Sequence, residues 1–389
     1  MGISYHKQTA PFYFGAGASE KLYEALNDMG ATKAVICTDK GVIAAGVADK
    51  AIASLKENNF PYAIFDGCLP DAPDTSFYGA AELIRKESAD AIVAVGGGSN
   101  MDTAKCASII AKNNKTLDEL KAISDPSMAQ VPSVKIVLIP TTSGTGSEET
   151  TVGVVSSSET HEKFGVFVTN VDLSIIDPEL TTGMPPQLTA MTGMDTIAHA
   201  CEAFTTTSVK NPVSDQRALA AMRLAKEWLP VAVKDGNNIQ ARSSMCLACT
   251  LAGMAFNDSM NNFGHGIAHA FGTRSHLPHG LACALAEPPA LESFANEIPG
   301  LIKEIGLQFD AEFSDSDTPE EIGKKTGNAL RKFMKEIGIP SLEERGMSRE
   351  EVLAHRDGVM AEFQTHLAPI KITPEIVEKV LASMYDNYR

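Results

Sequence analysis

Short apolar runs alternate with amphipathic stretches through the first half of this chain. Ala34 to Thr38, Tyr62 to Phe65, Ala91 to Val95 and Lys135 to Ile139 are apolar and bounded by turn residues, the pattern of strands buried on both faces. Between them a helical period runs over about Val47 to Asn58, Thr75 to Glu87 and Met101 to Lys112. Such alternation predicts an α/β fold with a mainly parallel sheet. Val152 to Ser156 and Phe164 to Val168, joined by a polar Ser/Glu/Thr/His segment, read as a hairpin. Leu173 to Ile176 reads as a further strand, closed by the turn signal Asp177-Pro178.

From about Pro186 the pattern changes to Ala-, Met- and Leu-rich helical periodicity that continues to the end of the chain. The boundary is therefore placed at Met184-Pro185-Pro186, giving an α/β domain over 1–185 and an all-α domain over 186–389. The acidic stretch Asp310 to Glu321 reads as a solvated loop and helix start.

Composition narrows the classes. The 389 residues suffice for two domains, and 44% hydrophobic with 21% charged residues is ordinary for a globular protein. A net charge of -16 opposes general nucleic-acid binding or attraction to an anionic membrane. Met1-Gly2-Ile3-Ser4-Tyr5-His6 carries no basic segment followed by an apolar run, and seven scattered cysteines suit a reducing compartment. The expectation is a cytoplasmic protein. Cys246 and Cys249 form a CxxC inside a small-residue helix without a second pair, so helix packing accounts for them.

The densest chemistry lies in the helical half. Asp195 and His199 are four apart, as are His265 and His269, so each pair projects from one helical face. His279, in Pro278-His279-Gly280, sits at a turn or helix start from which it can be aimed at the same point. Imidazoles with one carboxylate suit Fe(II), Zn(II) or another first-row dication, and the cluster as read from the sequence contains no cysteine. Five candidates exceed what one tetrahedral ion with a substrate position can use, so one of them has another task.

In the α/β half, Ala91 to Val95 runs into Gly96-Gly97-Gly98-Ser99-Asn100 and a helix, a turn whose backbone can approach a pyrophosphate at a helix N-terminus. Leu138-Ile139-Pro140 opens into Thr141-Thr142-Ser143-Gly144-Thr145-Gly146-Ser147-Glu148, rich in hydroxyls and backbone donors. Two such loops at adjacent strand ends describe a nucleotide crevice. Asp39, closing the first strand, could accept a ribose hydroxyl and repel a ribose phosphate, or serve as a helix cap.

Taken in order, Gly96-Gly97-Gly98-Ser99 with Asp102, Ala104 and Lys105, Thr141 to Glu148, Asp177-Pro178, Gly193-Met194-Asp195 with His199, Glu202 and Ala203, and His265 with His269, His279 and Gly280 resemble the iron-containing (group III) alcohol dehydrogenase family. The resemblance covers nearly the whole chain, and the related glycerol dehydrogenases and dehydroquinate synthases share the architecture. It implies a dehydroquinate synthase-like arrangement: an N-terminal dinucleotide-binding domain, a helical metal-binding domain and an active-site cleft between them. It makes Asp195, His199, His265 and His279 the metal ligands and His269 a proton-relay residue. Asp39, Gly97, Gly98, Ser99, Thr141, Thr142 and Ser147 match cofactor-contacting positions, and Lys163 matches one near the nicotinamide ribose.

The function these readings imply is hydride transfer between NAD(H) and a short-chain primary alcohol or aldehyde, with Fe2+ in the metal site and Zn2+ able to replace it, in a homo-oligomer. A glycerol-dehydrogenase-like or dehydroquinate-synthase-like enzyme, a metal-dependent hydrolase and a noncatalytic dinucleotide sensor are the alternatives. The chain departs from the family at Arg274-Ser275, where an apolar residue followed by Tyr is common, and at Glu287-Pro288-Pro289. Arg274, between His269 and His279, could grip a carboxylate- or sulfonate-bearing aldehyde, or could point away and pair with an acidic surface residue or a neighbouring subunit.

Overall fold

The computed structural model describes residues 10–113, 116–121, 133–160, 162–168 and 170–389. The N-terminal hexapeptide read for targeting and His161 of the hairpin connection lie outside the described residues. The chain divides between Gly183 and Met184 into two compact units.

The first unit is built on a six-stranded parallel sheet. Its strands are β1 (Phe12–Phe14), β2 (Ala34–Cys37), β3 (Tyr62–Phe65), β4 (Ala91–Gly96), β5 (Lys135–Pro140) and β8 (Leu173–Ile176). β6 (Val152–Ser156) and β7 (Lys163–Phe167) form a separate antiparallel hairpin. The order across the sheet is β1-β8-β5-β4-β2-β3. Alternate residues of the central strands feed different cores. Val35, Ile92, Ala94, Ile136 and Leu138 pack with the helices Asp74–Glu87 and Gly98–Lys112. Ile36, Val93, Val95, Val137 and Ile139 pack with the helices Leu22–Asp28 and Asp49–Glu57. Both faces are thus covered, which is why these strands read as unbroken apolar runs.

The strand order sets the location of the crevice. From β2 the chain moves outward to β3, then returns to the other side of β2 for β4 and continues away through β5 and β8. The connections diverge between β2 and β4, and in open parallel sheets the carboxyl ends of the strands at such a point are where ligands bind. β1 was missed by the periodicity: three residues at the sheet edge, part-buried and exposed, offer no alternation to detect.

The second unit is helical, with one continuous core running from Ala190 to Tyr388. Three of its helices carry the clustered histidines: Pro186–Thr205, Phe263–Ser275 and His279–Phe294. The first and third are buried almost all round, so the polar side chains on their inward faces are shut off from water. The acidic stretch ends in a helix start at Thr318, whose side chain and that of Glu321 form a capping box for Pro319–Glu336. Among the described residues no helix is long and apolar enough to cross a membrane.

Candidate functional site

In the α/β unit, the predicted cofactor residues other than Lys163, which opens β7, lie in the segments that follow β2, β4 and β5. Asp39 follows β2 and caps the short helix Lys40–Ala44, its Oδ1 accepting from the amides of Gly41 at 2.7 Å and Val42 at 3.0 Å. Its Oδ2 accepts from Asn100 Nδ2 at 3.0 Å, which ties the end of β2 to the first turn of the helix after β4. The cap reading of Asp39 is therefore realised, and the carboxylate also stands at the divergence point of the sheet. Asn100 was not singled out in the sequence, where it is the last residue of a glycine turn.

Gly97 is the N-cap of the helix Gly98–Lys112, with no side chain capping it. That helix start retains the anion-attracting character of free amide groups. The glycines are required by proximity: a Cβ at Gly98 would lie 2.7 Å from Thr145 Cγ2, and one at Gly96 would lie 2.3 Å from Asn100 Cγ. The Gly96–Asn100 and Thr141–Ser147 loops consequently touch. Thr141 is buried and its amide donates to Gly96 O at 3.0 Å, while Thr142 is part-buried beside Gly97.

Ser147 lies deeper. Its hydroxyl donates to Asp102 Oδ1 at 2.7 Å and accepts from Lys105 Nζ at 2.7 Å. Lys105, fully buried, also donates to the carbonyls of Ser147 and Val152 at 2.7 and 2.8 Å. Burial pushes its ammonium down to about 8. This lysine pins the loop after β5 to the Gly98–Lys112 helix. Lys163 reaches Asp71 Oδ1 at 2.6 Å, and the Asp71 amide donates to Ser99 Oγ at 3.1 Å.

In the helical unit, helical spacing does what the sequence required of it. Asp195, His199 and Glu202 share one face of Pro186–Thr205, and His265 and His269 one face of Phe263–Ser275. His279 is the first residue of its helix, after the N-cap Pro278. Asp195 Oδ1 lies 3.5 Å from His279 Nε2, 3.6 Å from His265 Nε2 and 3.7 Å from His199 Nδ1. Two donors each about 2.1 Å from one ion at a tetrahedral angle stand roughly 3.4 Å apart. Asp195 Oδ1 and His199 Nδ1 are buried without a hydrogen-bond partner. Orphaned donors at this spacing fit a divalent cation.

The electrostatics of Asp195 and His199 agree with that fit, whereas the His265 imidazole, which burial alone would push down, is held well above its ordinary range by Cys283, Glu202 and Asp195. Burial opposes the Asp195 carboxylate, but His199, His279 and His265 outweigh it and hold the group well below the usual carboxylate range. Burial pushes His199 down to about 3, leaving a neutral imidazole, the form that binds metal. The His199 ring stacks on Phe256, with ring centroids 4.3 Å apart.

One residue enters the cluster that the sequence reading left out. The donor atoms that all lie within 4.8 Å of one another belong to Asp195, His265, His279 and Cys283, so the expectation of a cluster free of cysteine is corrected. Cys283 is four residues beyond His279, the same spacing that singled out the other pairs, and that rule would have found it. Its thiol is pushed up to about 12 by burial.

A supporting layer surrounds these donors. Glu202 Oε1 stands 2.7 Å from His265 Nδ1, and its Oε2 accepts from the Asn262 amide. Asn262 caps the His265 helix and donates through Nδ2 to Glu202 O, Thr205 Oγ1 and Thr206 Oγ1 at 3.1, 3.0 and 3.0 Å. Glu287, one further turn along from Cys283, faces Glu202 across Gly264. Burial first, and the Glu202 carboxylate second, push its carboxyl well above the ordinary range.

His269 is buried, its ring 5.6 Å from that of His279 and its Nδ1 3.6 Å from Glu362 Oε2. Arg274 is exposed and its guanidinium donates to the carbonyl of Ala354, a backbone partner that the sequence did not suggest.

Two family models match the chain, one over each unit. Residues 10–178 match the model of the iron-containing alcohol dehydrogenases, and residues 189–385 match the Fe-containing alcohol dehydrogenase family C-terminal model. The chain is 32% identical to alcohol dehydrogenase 4 of Saccharomyces cerevisiae over 384 residues, covering 96% of each. It superimposes on the crystal structure of a 1,3-propanediol oxidoreductase with a TM-score of 0.91 at 32% identity, over 99% of this chain and 100% of that one. A sulfoacetaldehyde reductase from Bifidobacterium kashiwanohense in complex with NAD+ gives a TM-score of 0.84 at 26% identity, over 98% of this chain and 100% of that one. The chain belongs to the iron-containing alcohol dehydrogenase family.

Proposed function

We propose that this protein is an NAD(H)-dependent, metal-requiring oxidoreductase that interconverts a short-chain primary alcohol and its aldehyde, acting chiefly as an aldehyde reductase. The observation that carries the reading is the buried, unpartnered Asp195 Oδ1, surrounded by imidazole nitrogens of three histidines at 3.5 to 3.7 Å. Asp195, His199, His265 and His279 would hold the ion, Fe(II) in our reading, with Zn(II) accepted by the same donors. When bound, the ion supplies Lewis-acid chemistry, withdrawing charge from a hydroxyl or carbonyl oxygen. NAD(H), when bound, supplies the hydride chemistry.

The chain's own residues do the rest. The Gly97–Ser99 turn and the amides at the start of its helix bind the pyrophosphate. Asp39 accepts a ribose hydroxyl and disfavours a 2′-phosphate, with Asn100 fixing the carboxylate's orientation. Thr141, Thr142, Ser147 and Lys163 shape the cofactor's surroundings, Ser147 from beneath through the Lys105 network. Reduction of a carbonyl consumes a proton and oxidation of an alcohol releases one. His269 conducts it, and the part-exposed Glu362 beside its Nδ1 offers an exchange point toward solvent. With Arg274 engaged by Ala354, neutral short aldehydes are the main substrates. We place the enzyme in the cytoplasm as a homo-oligomer, a reading supported by its seven free cysteines for the compartment only.

The test is NADH oxidation by Fe(II)-loaded protein against a panel of neutral and anionic short aldehydes, with His265→Ala alongside. Turnover in the wild type, with metal and activity lost together in the variant, is expected. NAD(H) binding with no turnover on any aldehyde overturns the enzyme reading.

A further inference from the structure

Cys283 lies in the helix His279–Phe294, one turn beyond His279 and on the same face. It is fully buried, yet its sulfur is directed at polar atoms: Sγ lies 3.6 Å from His279 Nε2 and 3.8 Å from His265 Nε2. A nitrogen at about 2.1 Å and a sulfur at about 2.3 Å from one tetrahedral ion stand roughly 3.6 Å apart. Both sulfur separations match that figure, just as the nitrogen-to-oxygen separations match the value for an oxygen ligand. A second observation points to the same place. Asp195, 3% exposed, aims an unpartnered Oδ1 into this group of atoms.

We propose that Cys283 Sγ is a direct donor to the metal ion, sharing it with Asp195, His265 and His279. The inference rests on the metal-centre reading of the preceding section and adds a donor to it. On binding, the S–H bond breaks, a sulfur–metal bond forms and the proton leaves to solvent, with no change in oxidation state. His199, whose Nδ1 adjoins Asp195 Oδ1 at 3.7 Å, keeps its place in the donor set, and Cys283 is the fifth donor. A thiolate makes the site softer than imidazole and carboxylate alone, so it favours Zn(II) and Co(II) over hard ions such as Mn(II). The competing account is a small buried thiol that packs between helices and only hydrogen-bonds His279 and His265.

Cobalt distinguishes the two. Metal-free full-length protein is titrated with Co(II), and the visible ligand-field bands and near-ultraviolet sulfur-to-cobalt charge-transfer band are recorded for wild type, Cys283→Ser, Cys283→Ala and His265→Ala. The expected result is one Co(II) per chain with both signals in the wild type. The Cys283 variants keep the ligand-field bands and lose the charge-transfer band, and their Zn(II) affinity falls by at least the ~10-fold seen for outer metal-site partners. Cobalt bound by the wild type without a charge-transfer band, or a band that survives in both Cys283 variants, overturns the proposal while leaving the metal centre standing. Absence of stoichiometric cobalt binding, or binding indifferent to His265→Ala, overturns the metal-centre reading and this proposal with it. The wild-type spectrum alone decides if a variant does not fold.

Discussion

His265 Nδ1 lies 2.7 Å from Glu202 Oε1, so the imidazole donates through one nitrogen and presents Nε2 to the Asp195 cluster. A carboxylate behind a metal-facing histidine fixes its tautomer and ring plane and raises its basicity. Glu202→Gln should therefore weaken metal affinity by roughly 10- to 100-fold. Glu202→Ala should add a stability loss of about 1–3 kcal/mol, because the buried Asn262 amide loses its acceptor. Chelator competition and thermal melts measure the two effects separately. Unchanged metal affinity in both variants would show that Glu202 supports only the helix junction.

Glu287 yields a pH prediction. Its folded pKa is raised by burial and by Glu202, so above the unfolded carboxylate range the native state holds a proton that the unfolded chain has released. Its contribution to stability is full below the unfolded pKa and is lost as pH rises through the folded one. Glu287→Gln keeps the shape and removes the titration. Relative to wild type, the variant's melting temperature should climb between about pH 5 and pH 8. A difference that stays flat across that range would mean Glu287 is ionised in the folded protein.

Gly280 follows His279 where its helix crosses Pro186–Thr205. A Cβ there would lie 2.3 Å from Met191 O, a backbone atom that cannot rotate aside. Gly280→Ala should cost about 1–3 kcal/mol and displace His279, lowering metal affinity. Gly300, with open space around its position, is the matched control, and Gly300→Ala should be neutral or stabilising by up to ~1 kcal/mol. Equal melts for the two variants would rule out the close-approach argument.

Asp39 caps a helix and, in our reading, selects the cofactor. Asp39→Ser separates these roles, since a serine oxygen can still cap while the charge is gone. We expect the ratio of kcat/KM with NADPH to that with NADH to rise about tenfold or more as repulsion of the 2′-phosphate is removed. A ratio that does not move, in a variant of unchanged stability, would assign Asp39 to the cap alone.

The sequence by itself determined β2, β4 and β5, because strands buried on both faces must be apolar almost throughout and such runs stand out from any context, and it showed β3 and β8 as short apolar runs bounded by turn residues. It determined the two i, i+4 pairs for the same kind of reason: a helical repeat places Asp195 with His199 and His265 with His269 whatever the surroundings. Tertiary structure alone decided which neighbours those pairs meet. Glu202 reaches His265 across 63 positions, and Lys105 reaches Ser147 across 42, contacts no local period encodes. Arg274 found the Ala354 carbonyl 80 residues away, a choice set by how the C-terminal helices return against the His265 helix. Cys283 lies between the two cases. Its spacing from His279 is written in the sequence, but a buried cysteine on an apolar helix looks like packing until the fold brings Asp195 and His265 to its sulfur.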